Sequence, residues 1–233
     1  MTLLDFPGKV ACTVFTLGCN WRCPFCHNAQ LAKGHGDPLD SADLLAFLKK
    51  RQGILDGVAI TGGEPTLWPE LPELITQIRM LGYAIKLDTN GTNPTMLRSL
   101  CETGQLDMVA MDIKNAPADY ERTCGVQDCS FAAVQQSADY LMHTKIPFEF
   151  RTTVVKGLHT EASFHAIGAW LAGPYPYYLQ AFSDTGELMQ PGMQGVSKAE
   201  MQRFLSEEVQ SGTDELEAYR KLMQKIGVTV PKK

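Results

Sequence analysis

The chain is organised around the run Gly18-Cys19-Asn20-Trp21-Arg22-Cys23-Pro24-Phe25-Cys26-His27-Asn28, which follows an apolar stretch. Three residues separate Cys19 from Cys23, and two separate Cys23 from Cys26. The next cysteine along the chain is Cys101. Thiolates are soft ligands that suit iron-sulfur clusters or zinc, and three so close in sequence can face one centre from a single loop.

We interpret this loop as the cradle of a [4Fe-4S] cluster held by Cys19, Cys23 and Cys26. A cluster that only carries electrons is normally closed by four cysteines, so three ligands leave one iron open to a substrate. Two alternatives stay open: a structural zinc site completed by His27, or a cluster of buried thiols. A structural zinc site usually uses two separated pairs of ligands, which disfavours the first alternative.

Composition places the chain among globular proteins of one sizeable domain. Its 233 residues are 44% hydrophobic and 20% charged, and the formal net charge is −5. No basic run exceeds Lys49-Lys50-Arg51, so no nucleic-acid or membrane-binding surface is expected. The first residues lack a secretory pattern, and we expect a soluble cytoplasmic protein. Cys12, Cys101, Cys124 and Cys129 follow no disulfide framework and are expected to be free thiols.

Apolar runs typical of strands alternate with amphipathic helical segments along the chain. The predicted strands are Val10 to Leu17, Gly57 to Thr61, Tyr83 to Leu87, Met108 to Ile113, Phe148 to Val155 and Tyr177 to Phe182. The predicted helices are Ser41 to about Gln52, Leu71 to Leu81, Pro94 to Glu102, Phe131 to His143, Thr160 to Leu171, and two at the C-terminus, around Lys198 to Gln210 and Thr213 to Gln224. We expect Ser41 and Ser130 to cap their helices.

Strict alternation of this kind implies a parallel α/β sheet, and six strands rather than eight predict a partial (β/α)6 TIM-like barrel, open like a trough, with C-terminal helices. We expect one domain over residues 1–233, with a core at about 9–185 and a helical extension at about 186–233. In such folds the chemistry gathers at the C-terminal ends of the strands.

Unusual residues follow these strand ends. Gly62-Gly63-Glu64 offers exposed backbone groups and an anion suited to an ammonium group, although paired glycines are most often a simple turn. Asp88-Thr89 and Asp112 with Lys114 end the next two strands, where turn, capping or surface roles are the ordinary alternatives. Arg151 lies inside an apolar strand, where it needs a partner that a carboxylate or ribose-bearing ligand would supply.

The cysteine spacing, with the aromatic Phe25 before the last cysteine, resembles the signature of the radical S-adenosylmethionine (SAM) superfamily. The longer run 18–28 is similar to the glycyl-radical-enzyme activases of that superfamily. Residues 2–9 and 149–155 resemble the branch that activates anaerobic ribonucleoside-triphosphate reductase. The resemblance covers residues 2 to about 185.

The resemblance implies roles for these residues. Phe25, Gly62, Gly63, Glu64, Lys114 and Arg151 would bind SAM, with the Gly-Gly-Glu element at its methionyl amine. Asp88, Thr89 and Asp112 would hold a monovalent cation beside its carboxylate. Lys156 and Phe182 depart from the family pattern, where proline and a ribose-binding histidine are usual, so no adenosine contact is assigned on the sixth strand.

The resemblance also implies a reaction. Reductive cleavage of SAM would yield a 5′-deoxyadenosyl radical that removes a hydrogen atom from a backbone glycine of a partner glycyl-radical enzyme, with a flavodoxin- or ferredoxin-type electron donor. Anaerobic ribonucleotide reductase is the expected partner, and pyruvate formate-lyase is the nearest other target. No insertion is evident that would roof the trough over a small molecule, which favours a protein substrate. The alternatives are a radical enzyme acting on a small molecule or another peptide, and a structural metal-binding module.

Overall fold

The computed structural model describes residues 1–184 and 186–208. The strands are Ala11–Thr16 (β1), Gly57–Gly62 (β2), Ala84–Thr89 (β3), Met108–Asp112 (β4), Phe148–Val154 (β5) and Tyr177–Ala181 (β6). The helices are Ala29–Ala32 (α1), Ser41–Lys49 (α2), Leu71–Met80 (α3), Pro94–Glu102 (α4), Tyr120–Cys124 (α5), Phe131–His143 (α6), Glu161–Trp170 (α7) and Lys198–Glu208 (α8).

All six strands are parallel and lie in chain order in one open sheet, with β1 and β6 at its edges. The register pairs Ala11 with Gly57 and continues across the sheet, with Asp112 opposite Arg151. The predicted partial (β/α)6 arrangement is therefore confirmed. Because the strands are parallel, the loops that follow them all emerge at one rim, and that rim carries every unusual motif of the sequence.

The core lies between the sheet and its helices. The strands β2 and β4 are apolar on both faces, as expected for a covered parallel sheet, and Ile60, Leu87 and Val109 are fully buried. From the helices, Ile75 and Leu141 complete this packing and are likewise fully buried. A continuous core of this kind holds the strand ends at fixed separations, which a site assembled from several strands requires.

Helix ends differ in detail from the predictions. Asp40, and not Ser41, caps α2, because its carboxylate accepts the Ala42 N–H at 2.7 Å. Ser130 precedes α6 as predicted, but its side chain makes no capping hydrogen bond, and its backbone is left-handed with φ 55°. Thr160 caps α7 in a reciprocal pair with Ser163, the arrangement that satisfies two free N–H groups at once.

The short helices α1 and α5 were not predicted, because one turn of helix leaves no periodic signal. The predicted segment Thr213 to Gln224 lies outside the described residues. Within the residues that the structure describes, no helix combines the length and the apolar character needed to cross a membrane.

Candidate active site

A cavity of about 180 Å³ opens at the rim where the strands end. The predicted site residues share this cavity, with the exception of Arg151, which lies just behind it. Those that line it are Cys19, Cys23, Phe25, Cys26, Gly62, Gly63, Glu64, Asp88, Thr89, Asp112 and Lys114. Residues from four different strand ends thus meet in one place.

The segment 18–28, called the cysteine loop below, is held by backbone contacts. Gly18 N donates to Leu31 O at 2.7 Å and Cys19 N donates to Ala32 O at 3.1 Å, so the turn of α1 supports the start of the loop. Arg22 N donates to Cys124 O at 2.9 Å, which ties the middle of the loop to α5. These bonds explain why the loop has a defined shape without regular secondary structure of its own.

The three cysteine side chains fit an iron-sulfur cluster. Cys23 is buried and Cys19 and Cys26 are half-buried, and all three are free thiols. The Trp21 N–H donates to Cys19 Sγ at 3.4 Å, a contact that favours a thiolate. Trp21 and Phe25 are only 2% and 4% exposed, so aromatic rings exclude water from this side of the cavity. In the described residues no three His, Cys, Asp or Glu side chains converge on a single metal ion, but the cysteines of a cubane each bind a different iron.

Burial raises the pKa of the Cys19 thiol to about 11 and also raises that of Cys26. Cys23 differs: a hydrogen bond from the Cys124 side chain lowers its pKa. Cys124 ends α5 and is completely buried, so a fourth sulfur lies directly behind the loop. Sequence spacing could not place Cys124 there, because a hundred residues separate it from Cys23.

Because Gly62 and Gly63 lack side chains, the end of β2 can lie very close to the backbone of residues 15–18. A Cβ at Gly63 would lie 1.9 Å from the carbonyl oxygen of Gly18, and one at Gly62 would lie 2.4 Å from Thr16 N. Glu64 N and Gly63 N donate to Gly18 O and Thr16 O at 2.8 and 2.9 Å. The paired glycines therefore dock the cysteine loop onto the end of β2, in addition to lining the cavity.

Glu64 is only 1% exposed, and its carboxylate is already engaged. Oε1 accepts from the hydroxyls of Thr66 and Thr89 at 2.6 and 2.7 Å, and Oε2 accepts from Asn90 N at 2.6 Å. Burial raises the pKa of Glu64, while these hydrogen bonds oppose the rise. The glutamate thus joins the β2 loop to the β3 loop, a role that the sequence did not suggest.

Behind the cavity lies a strand-end charge network formed by Lys86, Asp88, Asp112, Lys114, Glu149 and Arg151. Arg151 spans two strands, with Nη1 at 3.2 Å from Asp88 Oδ2 and Nη2 at 2.9 Å from Asp112 Oδ1. A carboxylate or ribose-bearing ligand was expected as its partner, and in the structure the neighbouring strands supply two carboxylates. Lys86 and Glu149 were not singled out from the sequence.

Electrostatics in this network keep Asp112, Lys114 and Arg151 ionised. Burial alone would raise the pKa of Asp112, but the charges of Arg151 and Lys114 hold it well below its ordinary value. Burial would lower the pKa of Arg151 and of Lys114, and in both cases the charge of Asp112 reverses that effect and raises it above the ordinary value. A buried arginine next to carboxylates stays charged at every accessible pH.

The segment after β6 reaches the cysteine loop. His27 Nε2 lies 2.6 Å from Ser183 O, and its ring stacks on Phe182 with centroids 5.1 Å apart. Gln190 N donates to Pro24 O at 2.9 Å. These contacts were not predicted, because they depend on a loop whose sequence carries no regular pattern.

His159 was not singled out from the sequence, and it is buried, with an exposed fraction of 4%. Its Nδ1 accepts from Val155 N at 3.1 Å, so Nε2 carries the proton and donates to Lys114 O at 2.8 Å. Burial lowers the pKa of this imidazole, which favours the neutral form that the two bonds require. The histidine fixes the backbone that presents Lys114.

Comparisons with known proteins agree with this site. The chain is 32% identical over 118 residues to a Methanocaldococcus jannaschii protein named as a glycyl-radical enzyme activating enzyme, covering 49% of this chain and 47% of the relative. It is 30% identical over 150 residues to a Thermococcus kodakarensis protein named as a GTP 3′,8-cyclase, covering 62% of this chain and 47% of that relative. The chain therefore spans about half the length of these curated relatives.

The fold resembles that of Streptococcus suis SuiB bound to S-adenosylmethionine, with a TM-score of 0.67 and 14% identity over 95% of this chain and 49% of that one. At that identity the likeness concerns the fold alone. The profile of the Radical SAM superfamily matches residues 13–165, which is more than half of the sequence and includes the cysteine loop and the charge network. The chain thus belongs to the radical SAM superfamily.

Proposed function

We propose that this radical SAM enzyme is a glycyl-radical-enzyme activase. Cys19, Cys23 and Cys26 would hold one [4Fe-4S] cluster, and the remaining cavity-lining residues would bind SAM. The observation that carries the proposal is the convergence of three half-buried or buried cysteines and four strand ends on one cavity. Relatedness to a protein named as an activating enzyme supports the choice of substrate class.

The chemistry that the bound cluster supplies is one-electron reduction of SAM, with the electron coming from a flavodoxin- or ferredoxin-type donor. This chemistry would break the carbon-sulfur bond of SAM, with methionine as the leaving group. The 5′-deoxyadenosyl radical so released would take one hydrogen atom from the glycine Cα of the partner and leave 5′-deoxyadenosine and a glycyl radical. Anaerobic ribonucleotide reductase is the proposed partner, and pyruvate formate-lyase is the next candidate.

The chain's own residues orient and protect this reaction. Backbone atoms at Gly62 and Gly63 border the cavity and are available to the methionyl amine. Lys114 presents an ammonium group beside Asp112 and would face the carboxylate of SAM. Trp21 and Phe25 keep water from the cysteine loop, which protects a reactive radical and affects the potential of a cluster.

Activation of a partner is tested by electron paramagnetic resonance. Reconstituted enzyme, reductant and SAM are mixed anaerobically with purified anaerobic ribonucleotide reductase. We expect a glycine-centred doublet on the partner, with 5′-deoxyadenosine released in proportion to it. The matched control is a partner in which the radical-bearing glycine is replaced by alanine, which should give no doublet. A normal release of 5′-deoxyadenosine without any doublet, with either candidate partner, would exclude the activase.

A second candidate is a radical SAM enzyme that acts on a small molecule. The relatedness to a protein named as a GTP 3′,8-cyclase favours it. The segment after β6 that contacts the cysteine loop also narrows the trough on one side. In that case a small substrate such as a nucleotide, and not a partner protein, would stimulate the release of 5′-deoxyadenosine in the same assay.

A further inference from the structure

The oxygens that the family resemblance assigns to a monovalent cation are already occupied by side chains of this chain. Asp88 Oδ1 meets Lys86 Nζ at 2.5 Å, and Asp88 Oδ2 meets Arg151 Nη1 at 3.2 Å. Asp112 Oδ1 meets Arg151 Nη2 at 2.9 Å, and Asp112 Oδ2 meets Lys114 Nζ at 2.9 Å. Each of the four carboxylate oxygens thus contacts a positively charged nitrogen.

The third expected ligand is also engaged. The Thr89 hydroxyl donates to Glu64 Oε1 at 2.7 Å and accepts from Gly91 N at 3.1 Å. A metal ion would need a lone pair of this oxygen that points away from both bonds. The three residues therefore do not fit the expected cation. Enough oxygen atoms are present, but each of them already contacts another group of the protein.

Lys86 is the side chain that supplies a buried positive charge beside Asp88. Its side chain is only 1% exposed, and its ammonium group lies between Asp88 Oδ1 and Glu149 Oε1, the second at 3.9 Å. A buried lysine persists in an apolar sheet only where carboxylates compensate its charge. The network contains three cationic and three anionic side chains, so it is neutral without any added ion.

We propose that Lys86, together with Arg151, takes the place of the monovalent metal cation, so that this enzyme binds SAM without potassium or sodium. The positive charge beside SAM would then come from these two side chains, and it would be present whichever salt the solution contains. The proposal rests on the proposed function only in taking SAM as the ligand beside this network. The proposal implies that the neighbouring carboxylates contribute to SAM binding by holding Lys86 and Arg151 in place.

The first test needs neither cluster nor SAM. Thermal unfolding of the full chain is measured in choline chloride, potassium chloride and sodium chloride at equal ionic strength. A bound ion stabilises the state that binds it, so we expect the three melting temperatures to agree within about 1 °C. A saturable rise of more than about 3 °C in potassium or sodium alone would overturn the proposal.

The second test uses the cluster-loaded enzyme and isothermal titration with SAM in the same three salts. Two ligands that bind side by side are coupled, and coupling typically changes an affinity by about 5-fold or more. We expect the dissociation constants to agree within about twofold, because no such coupling exists here. A specific tightening by potassium or sodium would contradict the proposal. Failure to bind SAM in every salt would count against the proposed function, while the unfolding experiment would still decide the cation question.

The third test creates the missing site. Lys86→Met leaves Asp88 Oδ1 and Glu149 Oε1 without the ammonium group between them, so this variant should gain a saturable stabilisation by potassium or sodium that the wild type lacks. Lys49→Met removes an exposed lysine of α2 and should gain none. A folded Lys86→Met variant that stays indifferent to both ions would remove Lys86 from the proposal. The wild-type measurements decide the main point even where this variant does not fold.

Discussion

The two halves of the site are held together by different forces. On the β1 and β2 side, backbone hydrogen bonds and close glycine contacts dock the cysteine loop, with Gly63 N on Thr16 O at 2.9 Å as an example. On the β3 to β5 side, ion pairs between side chains on neighbouring strands set the geometry, as where Arg151 bridges Asp88 and Asp112. The first half depends on shape, so an added side-chain atom at its glycines should disturb it. The second half depends on charge balance, so the loss of one charged side chain should disturb it.

The largest expected effect comes from the cysteine loop itself. Cys23→Ala removes the most buried of the three proposed ligands and should reduce cluster content and SAM cleavage to background, a loss of about 100-fold or more. Iron analysis and the resonance signal of the reduced cluster measure it. Cys101→Ala, at a half-buried thiol on α4, is the matched control and should retain both. Full iron loading of Cys23→Ala would refute the three-cysteine ligand set.

The second-largest effect is expected from removing one charge of the strand-end charge network. Arg151→Leu leaves two carboxylates without their shared partner and should lower the free energy of unfolding by about 3–5 kcal/mol. Arg79→Leu is the comparison, because its ion pair with Asp107 is 35% and 39% exposed and should cost under about 1 kcal/mol. Urea unfolding of the two variants measures both losses. Equal losses would show that the network contributes no more than a surface pair.

Adding one methyl group tests the shape-dependent half. Gly63→Ala places a Cβ 1.9 Å from the Gly18 carbonyl oxygen, so the cysteine loop must move. We expect a loss of about 1–3 kcal/mol in unfolding free energy together with poor cluster loading. Gly168→Ala, in α7 with open space around it, should instead stabilise the protein by up to about 1 kcal/mol. A Gly63→Ala variant with normal stability and iron content would show that the loop is not docked as described.

The smallest expected effect concerns His159, which supports the charge-dependent half through Lys114. Burial lowers the pKa of this histidine in the folded state below its ordinary value of about 6.5. Its contribution to stability is therefore present above about pH 6.5 and is lost as the pH falls through the folded-state pKa. Unfolding free energies between about pH 7 and 5 should fall less steeply for His159→Gln than for the wild type. Parallel pH profiles for the two proteins would contradict this assignment.

These two halves also differ in how far the sequence predicted them. The cysteine loop was predicted because Cys19, Cys23 and Cys26 lie close in sequence, and the alternation of apolar strands with helices predicted the parallel sheet that carries it. Asp88, Asp112 and Arg151 were predicted as site residues, but their pairing was not predicted, since ion pairs across strands depend on the register. Lys86 went unnoticed because a lysine in a strand ordinarily points to solvent.

Contacts between segments distant in sequence explain the remaining differences. Cys124 lies behind Cys23 because α5 packs against the loop, and His27 meets Phe182 because the segment after β6 returns to the rim. Neither segment carries a periodic pattern from which its path follows. The buried His159 is a similar case, since only the loop after β5 places its ring beside the Lys114 carbonyl.

The central claim is that the shape-dependent and charge-dependent halves together form a site that cleaves SAM reductively. The most direct measurement is the release of 5′-deoxyadenosine from SAM by anaerobically reconstituted enzyme reduced with dithionite, with its iron content determined on the same sample. We expect release that requires reductant and is absent from Cys23→Ala. Fully iron-loaded wild-type enzyme that releases no 5′-deoxyadenosine would contradict it.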